Sequence, residues 1–161
     1  MFGSQTKAPL LANINAFVWE PNMIYFNSLT HVRTPNYYVQ QLFAQNACGK
    51  LVDLTSDTTD MKGKANLYAS ALINENEIIV KLVNANETAV DFEFSFPKGI
   101  KVAPRGEIQT LHHPVPLASN TLDNPDRVIP STQPLLLENP DAAKVTLQGH
   151  SVNILKFKLA E

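Results

Sequence analysis

Between Val90 and Phe96 an apolar side chain falls at every second position, with Asp91, Glu93 and Ser95 in the gaps. A repeat of two is the period of a strand, and on a helix the same residues would be scattered around the axis. The stretch must therefore carry one face in a core and one in water. Burying Phe92, Phe94 and Phe96 needs a second layer, so the constraint passes to the rest of the chain. The rest supplies it. NLYASALI, the turn-like Asn74-Glu75-Asn76 and EIIVKLVN read as a hairpin in which Ile78, Val80 and Leu82 share a side. EIQTLHH from Glu107, a short run from Arg127 to Ile129, KVTLQ from Lys144 and SVNILKFKL from Ser151 continue the series. Lys50 to Leu54 open it, and Asp53 to Ala65 reads as a polar surface connection. Short strands at this spacing define a mainly β fold, an antiparallel β-sandwich of jelly-roll type. Leu155, Phe157 and Leu159 tie the last strand into a sheet, and the intervening Lys156 and Lys158 would discourage foreign pairing if that strand lay at an edge.

One segment departs from this pattern. In TPNYYVQQLFAQN, Thr34 can accept from the free N–H groups of a first helical turn, and Pro35 gives up only a donor that has no partner there. Tyr38, Val39, Leu42 and Phe43 then gather on one face, and Gly49 is the expected stop. Ahead of the helix, Met23 to Phe26 reads as a short buried strand and Asn27 to Arg33 as a loop. The sandwich is thus preceded by one βα unit, with residues 1–49 forming the first part and 50–161 the sandwich. A helix of this length is marginal alone and must lie on something apolar. Its face is expected either to self-associate or to fold back on the sandwich.

Charge and composition exclude several classes of function. A net charge of -2 and a pI near 6.1 give no electrostatic footprint for nucleic acid or an anionic membrane. No segment approaches the apolar length of a membrane span, and the first residues lack the pattern of a signal peptide, so the chain as written reads as soluble. The single cysteine, Cys48, excludes an internal disulfide framework and is expected to pack. His112 and His113 are adjacent, which in a strand sends them to opposite faces, while His31 and His150 have no partner at ligand spacing; no metal site is expected. There is no nucleophile elbow and no glycine-rich phosphate loop. Asn86-Glu87-Thr88 fits a glycosylation acceptor, a pattern common by chance. Among carboxylates only Glu20 falls in the βα part, whereas glycoside hydrolysis typically employs a pair.

PLLANINAFVWEPNMIYFN followed by TPNYYVQQLF resembles the end of the catalytic barrel in α-L-arabinofuranosidases of glycoside hydrolase family 51, where the last barrel strand leads through a loop to the last helix. LASNTLDNPDRVIP resembles the Asn-rich, Pro-ended loop of that family's C-terminal domain, and SVNILKFKL its closing strand. The resemblance implies that the βα unit is what remains here of a (β/α)8 barrel. It implies a parent that removes terminal α-L-arabinofuranosyl groups from arabinan or arabinoxylan with retention, without metal or cofactor, and is compatible with export of that parent. Both glutamates of that chemistry lie on earlier barrel strands, so no catalytic residue is expected in this chain. Trp19 and Asn22 are the positions carried over as sugar-contacting or wall groups. The implied partners are the catalytic barrel itself and, through it, the arabinose-containing polysaccharide. Because the family's sandwich also borrows strand material from before the barrel, an open sheet edge is a second expected route to pairing. The rival reading is a non-catalytic carbohydrate-binding or interaction module, which would need an exposed aromatic platform.

Overall fold

The computed structural model describes residues 10–16, 20–54, 66–139 and 141–160. Three short strands come first: β1 (Leu11–Asn13), β2 (Ile24–Phe26) and β3 (His31–Arg33). β1 and β2 run parallel, with Leu11 opposite Ile24 and Asn13 opposite Phe26, and β3 returns antiparallel to β2. The expected strand is therefore present, but the segment read as a loop contains β3. Asn27 makes this possible: its side-chain oxygen accepts from the N–H groups of Leu29 and Thr30, closing a tight turn that polarity alone labels as loop.

Helix α1 (Pro35–Gln45) starts as its residues dictate, with Thr34 extended at φ -84 and ψ 166 and its hydroxyl accepting from Tyr37 N–H. It ends sooner than Gly49. Asn46 closes it by donating from Nδ2 to Leu42 O at 2.8 Å, which satisfies a carbonyl of the last turn. Gly49 instead serves the next strand, because at φ +140 a Cβ there would stand 2.8 Å from Ile73 O.

The remaining strands are β4 (Lys50–Val52), β5 (Leu67–Ile73), β6 (Glu77–Asn84), β7 (Val90–Ser95), β8 (Val102–His112), β9 (Ser131–Leu136), β10 (Ala142–Leu147) and β11 (Ser151–Leu159). Six form one antiparallel sheet in the order β4-β5-β6-β11-β8-β9, and β10 and β7 form a second sheet across from it. The hairpin at Asn74-Glu75-Asn76 and the alternating β7 are as the sequence dictates. Arg127 to Ile129 is not a strand; Ser131 to Leu136 is, at the sheet edge, where Pro134 costs no ladder bond on the open side. β11 is no edge strand either. It lies between β6 and β8, and Lys156 spends its charge on Glu107 across the ladder at 3.3 Å. A glycine opposite Phe157 permits the irregular register near the end of β11: a Cβ on Gly106 would lie 2.8 Å from the Phe157 ring.

Between the two sheets sit Ile78, Val80, Leu82, Val145, Leu147, Leu155 and Phe157, with Phe92 and Phe94 packed against them. Phe157 has no exposed area, and the rings of Phe94 and Phe96 meet its edge or face at centroid distances of 6.0 and 5.1 Å. The opposite face of the six-stranded sheet carries a second core of Leu42, Ile79, Leu111, Val128 and Ile154, flanked by Tyr38 and Val39. The helix has thus folded back on the sheet. Two-sided burial explains why EIIVKLVN reads as almost continuously apolar. Phe43, the last of the expected face residues, lies under the Lys81 ammonium, 5.1 Å from the ring centroid. Cys48, expected to pack, is exposed just beyond the helix.

Candidate functional site

Three short strands, a helix and one sandwich loop converge where β3 enters α1. Thr34 is at the centre. Its N–H donates to Met23 O at 2.9 Å, and its hydroxyl lies 2.8 Å from Asn22 O and 3.1 Å from Met23 O. A β-branched residue with one hydroxyl here both caps the helix and fixes the backbone just ahead of β2. Asn22 itself is fully buried, with Nδ2 3.4 Å from the Tyr25 hydroxyl, and the preceding Glu20–Pro21 peptide is cis. Of the two residues expected to line a sugar site, Asn22 therefore sits inside this corner, and Trp19 lies outside the described residues. Glu20 is exposed.

The loop between β8 and β9 grips the same corner. Asn120, 3% exposed, donates from Nδ2 to Arg33 O at 2.9 Å and to Val128 O at 3.0 Å, and its Oδ1 accepts from Val128 N–H at 2.7 Å. The second of these bonds and the third close a ring that presses Val128 into the core beneath α1. Nothing in hydrophobic periodicity marks Asn120; only its place in LASNTLDNPDRVIP hints at a structured loop.

Lys81 is the charged residue buried under the helix. Its Nζ donates to Phe43 O at 3.4 Å, in the last turn, where a cation meets the negative end of the helix dipole. Burial pushes its ammonium below the ordinary lysine range.

On the far side of the six-stranded sheet, an open groove of about 790 Å3 runs beside β7, floored by Ala69, Ala71, Val80 and Leu82. Because Phe96 N–H bonds Asp141 O, the two-residue alternation of the β7–β10 ladder turns the backbone groups of Asp91, Glu93 and Ser95 toward the other edge of β7. Among the described residues that edge has no strand partner. Among the described residues no group of three or more His, Cys, Asp and Glu side chains could hold a metal ion, and no helix is long and apolar enough to cross a membrane. The histidines do not converge: His31 lies exposed on β3, His113 Nδ1 accepts from Val115 N–H, and His150 occupies a turn at φ 49. The amide of Asn86, in the glycosylation-like triplet, donates to Asn84 Oδ1.

A six-stranded sheet backed by a two-stranded one, with a helix laid on its outer face, defines a β-sandwich domain, and comparison with known proteins gives its family. The α-L-arabinofuranosidase C-terminal domain family matches residues 4–151, and the chain belongs to it. Alpha-L-arabinofuranosidase 2 of Arabidopsis thaliana is 26% identical over 149 residues, which is 89% of this chain and 21% of that protein. Probable alpha-L-arabinofuranosidase A of Aspergillus oryzae is 31% identical over 152 residues, 92% of this chain and 22% of its own length. The chain thus spans about a fifth of the length of these relatives. The arabinose-bound structure of the MgGH51 α-L-arabinofuranosidase superposes with a TM-score of 0.82 at 22% identity, over 95% of this chain and 24% of that one, which establishes a shared fold.

Proposed function

We propose that this chain is the C-terminal part of a retaining α-L-arabinofuranosidase, the buttress of a catalytic barrel that carries both working glutamates, and that it does not hydrolyse arabinosides alone. The observation behind this reading is the first part of the chain: a strand parallel to its neighbour and a helix laid on the sandwich, with Glu20 as its single carboxylate. Glycoside hydrolysis typically needs two carboxyl groups facing one bond, about 5 to 5.5 Å apart in retaining enzymes. Barrel active sites are also assembled from the carboxyl ends of many strands, which one βα unit cannot supply. In the intact protein the substrate is the terminal α-L-arabinofuranosyl group of arabinan or arabinoxylan, with Trp19 and the Asn22 corner on the wall of the cleft. The division between barrel and sandwich falls at Gly49, and the free edge of β7, over its apolar groove, is where strand material of the parent adds.

Purified chain is expected to release no nitrophenol from 4-nitrophenyl α-L-arabinofuranoside. Turnover abolished by replacing Glu20 would overturn the proposal. The rival reading, a free-standing carbohydrate-binding module, has little to stand on, since among the described residues Tyr68 is the one aromatic in the set of exposed large apolar side chains. Saturable micromolar binding of arabinan or arabinoxylan oligosaccharides by the chain would favour it.

A further inference from the structure

The Arg33–Thr34 peptide is hydrogen-bonded on both sides. Its carbonyl accepts from Asn120 Nδ2 at 2.9 Å, and its N–H donates to Met23 O at 2.9 Å. In a trans peptide these two groups point in opposite directions, so Asn120 and Met23 lie on either side of one planar unit. A continuous line of bonds therefore runs from Val128 through Asn120 and this peptide to the backbone ahead of β2. Bonds in such a chain polarise one another, and each end is buried or partly buried. Thr34 Oγ1 adds a branch to Asn22 O. The line crosses from a sandwich loop to the barrel-type strands, and Asn120 is the side chain that makes the crossing.

We propose that Asn120 is a positioning residue: through the Arg33–Thr34 peptide it fixes the Asn22–Ile24 backbone against the sandwich, and in the intact enzyme it sets where the last strand delivers its residues to the cleft. The catalytic half of this statement rests on the function proposed above; the coupling half rests on this chain alone. The amide is required in one orientation, because its oxygen faces an N–H and its nitrogen faces two carbonyls. Asn120→Asp keeps the shape, loses both donations and sets an oxygen against two carbonyl oxygens. Asn120→Ala removes all three bonds.

Two measurements test it. In this chain, hydrogen exchange is read at the Thr34 and Ile24 amides, which donate to Met23 O and Leu10 O, and at β6 and β11 as a control. Both variants are expected to accelerate exchange at Thr34 and Ile24 about ten-fold while the central strands stay protected. Acceleration confined to Val128 and its loop would overturn the coupling, since a residue that merely holds its own loop would do that. In the full-length enzyme, well below its melting temperature, kcat on the aryl arabinoside should fall about ten-fold with KM little changed, the scale on which small misplacements act. Unchanged kcat in a fully folded variant would overturn the positioning role. An inactive unmutated enzyme would instead refute the proposed function, and the exchange experiment would still decide the coupling.

Discussion

Asn84 offers the sharpest test of how this sandwich is held shut. It is fully buried at the end of β6, its Nδ2 within 2.9, 3.1 and 3.0 Å of the carbonyl oxygens of Thr88, Leu147 and Gln148, and its Oδ1 accepts from Asn86 N–H at 3.0 Å. One amide thus ties the six-stranded sheet to the loop after β10 in the other sheet. Each buried polar group left unpaired costs about 1 to 3 kcal/mol, and water can reach some of these turn carbonyls, so Asn84→Ala should cost about 3 kcal/mol. With a urea slope of about 2 kcal/mol/M the midpoint falls by about 1.5 M. Asn84→Asp is nearly isosteric, yet at pH 7 it should be worse than alanine, because an anionic oxygen then faces three carbonyl oxygens. Burial and those carbonyls raise the folded-state pKa of the new carboxyl above its unfolded value of about 3.9. Between the two values the folded chain binds more protons than the unfolded one, so stability falls as pH rises through that window. The penalty relative to wild type, measured by urea unfolding, should therefore shrink from pH 7 to pH 4. An aspartate tolerated at pH 7 better than alanine, or a penalty equal at both pH values, would refute the reasoning.

Two further outcomes follow from the two cores. Phe157→Ala deletes the ring at the centre of the aromatic cluster and should cost about 3 to 5 kcal/mol, read as a drop in melting temperature of about 10 °C or more. Because burial holds Lys81 below the ordinary lysine range, the unfolded chain binds more protons than the folded one between its two pKa values, and stability contributed by this site rises with pH there. Lys81→Met should remove that rise in stability measurements above neutral pH; a pH profile identical to wild type would show that the ammonium is solvated.

How much of this was legible beforehand depended on whether a residue's role is local. The alternation from Val90 to Phe96 could only be a half-buried strand, and Thr34-Pro35 could only begin a helix, since each needs nothing beyond its neighbours. β1 and β3 have three residues each and too little length for a period; their partner strand decides them. β9 carries a proline and leaves Gln133 and Leu136 exposed, so it lacks the apolar face that would announce it. The position of β11 between β6 and β8 is a fact of sheet order, which alternation does not encode. At the candidate site, Asn22 was legible as a place in the chain but not as a buried corner, and Asn120 only as a member of an Asn-rich loop, not as the residue that grips Arg33. Asn22, Asn46, Asn84, Asn120 and Asn153 are all buried, in a residue type that composition assigns to loops and surfaces. Asn84 and Asn120 are held by backbone carbonyls far away in sequence, whose approach only the folded chain creates.

The place of β11 bears on how the molecule is made. A ribosome delivers this strand after every other described strand, yet β6 and β8 have no common neighbour until it arrives. Between the completion of β8 and the arrival of β11 the nascent chain must carry two unsatisfied sheet margins, so that interval is when a ribosome-associated chaperone would matter most.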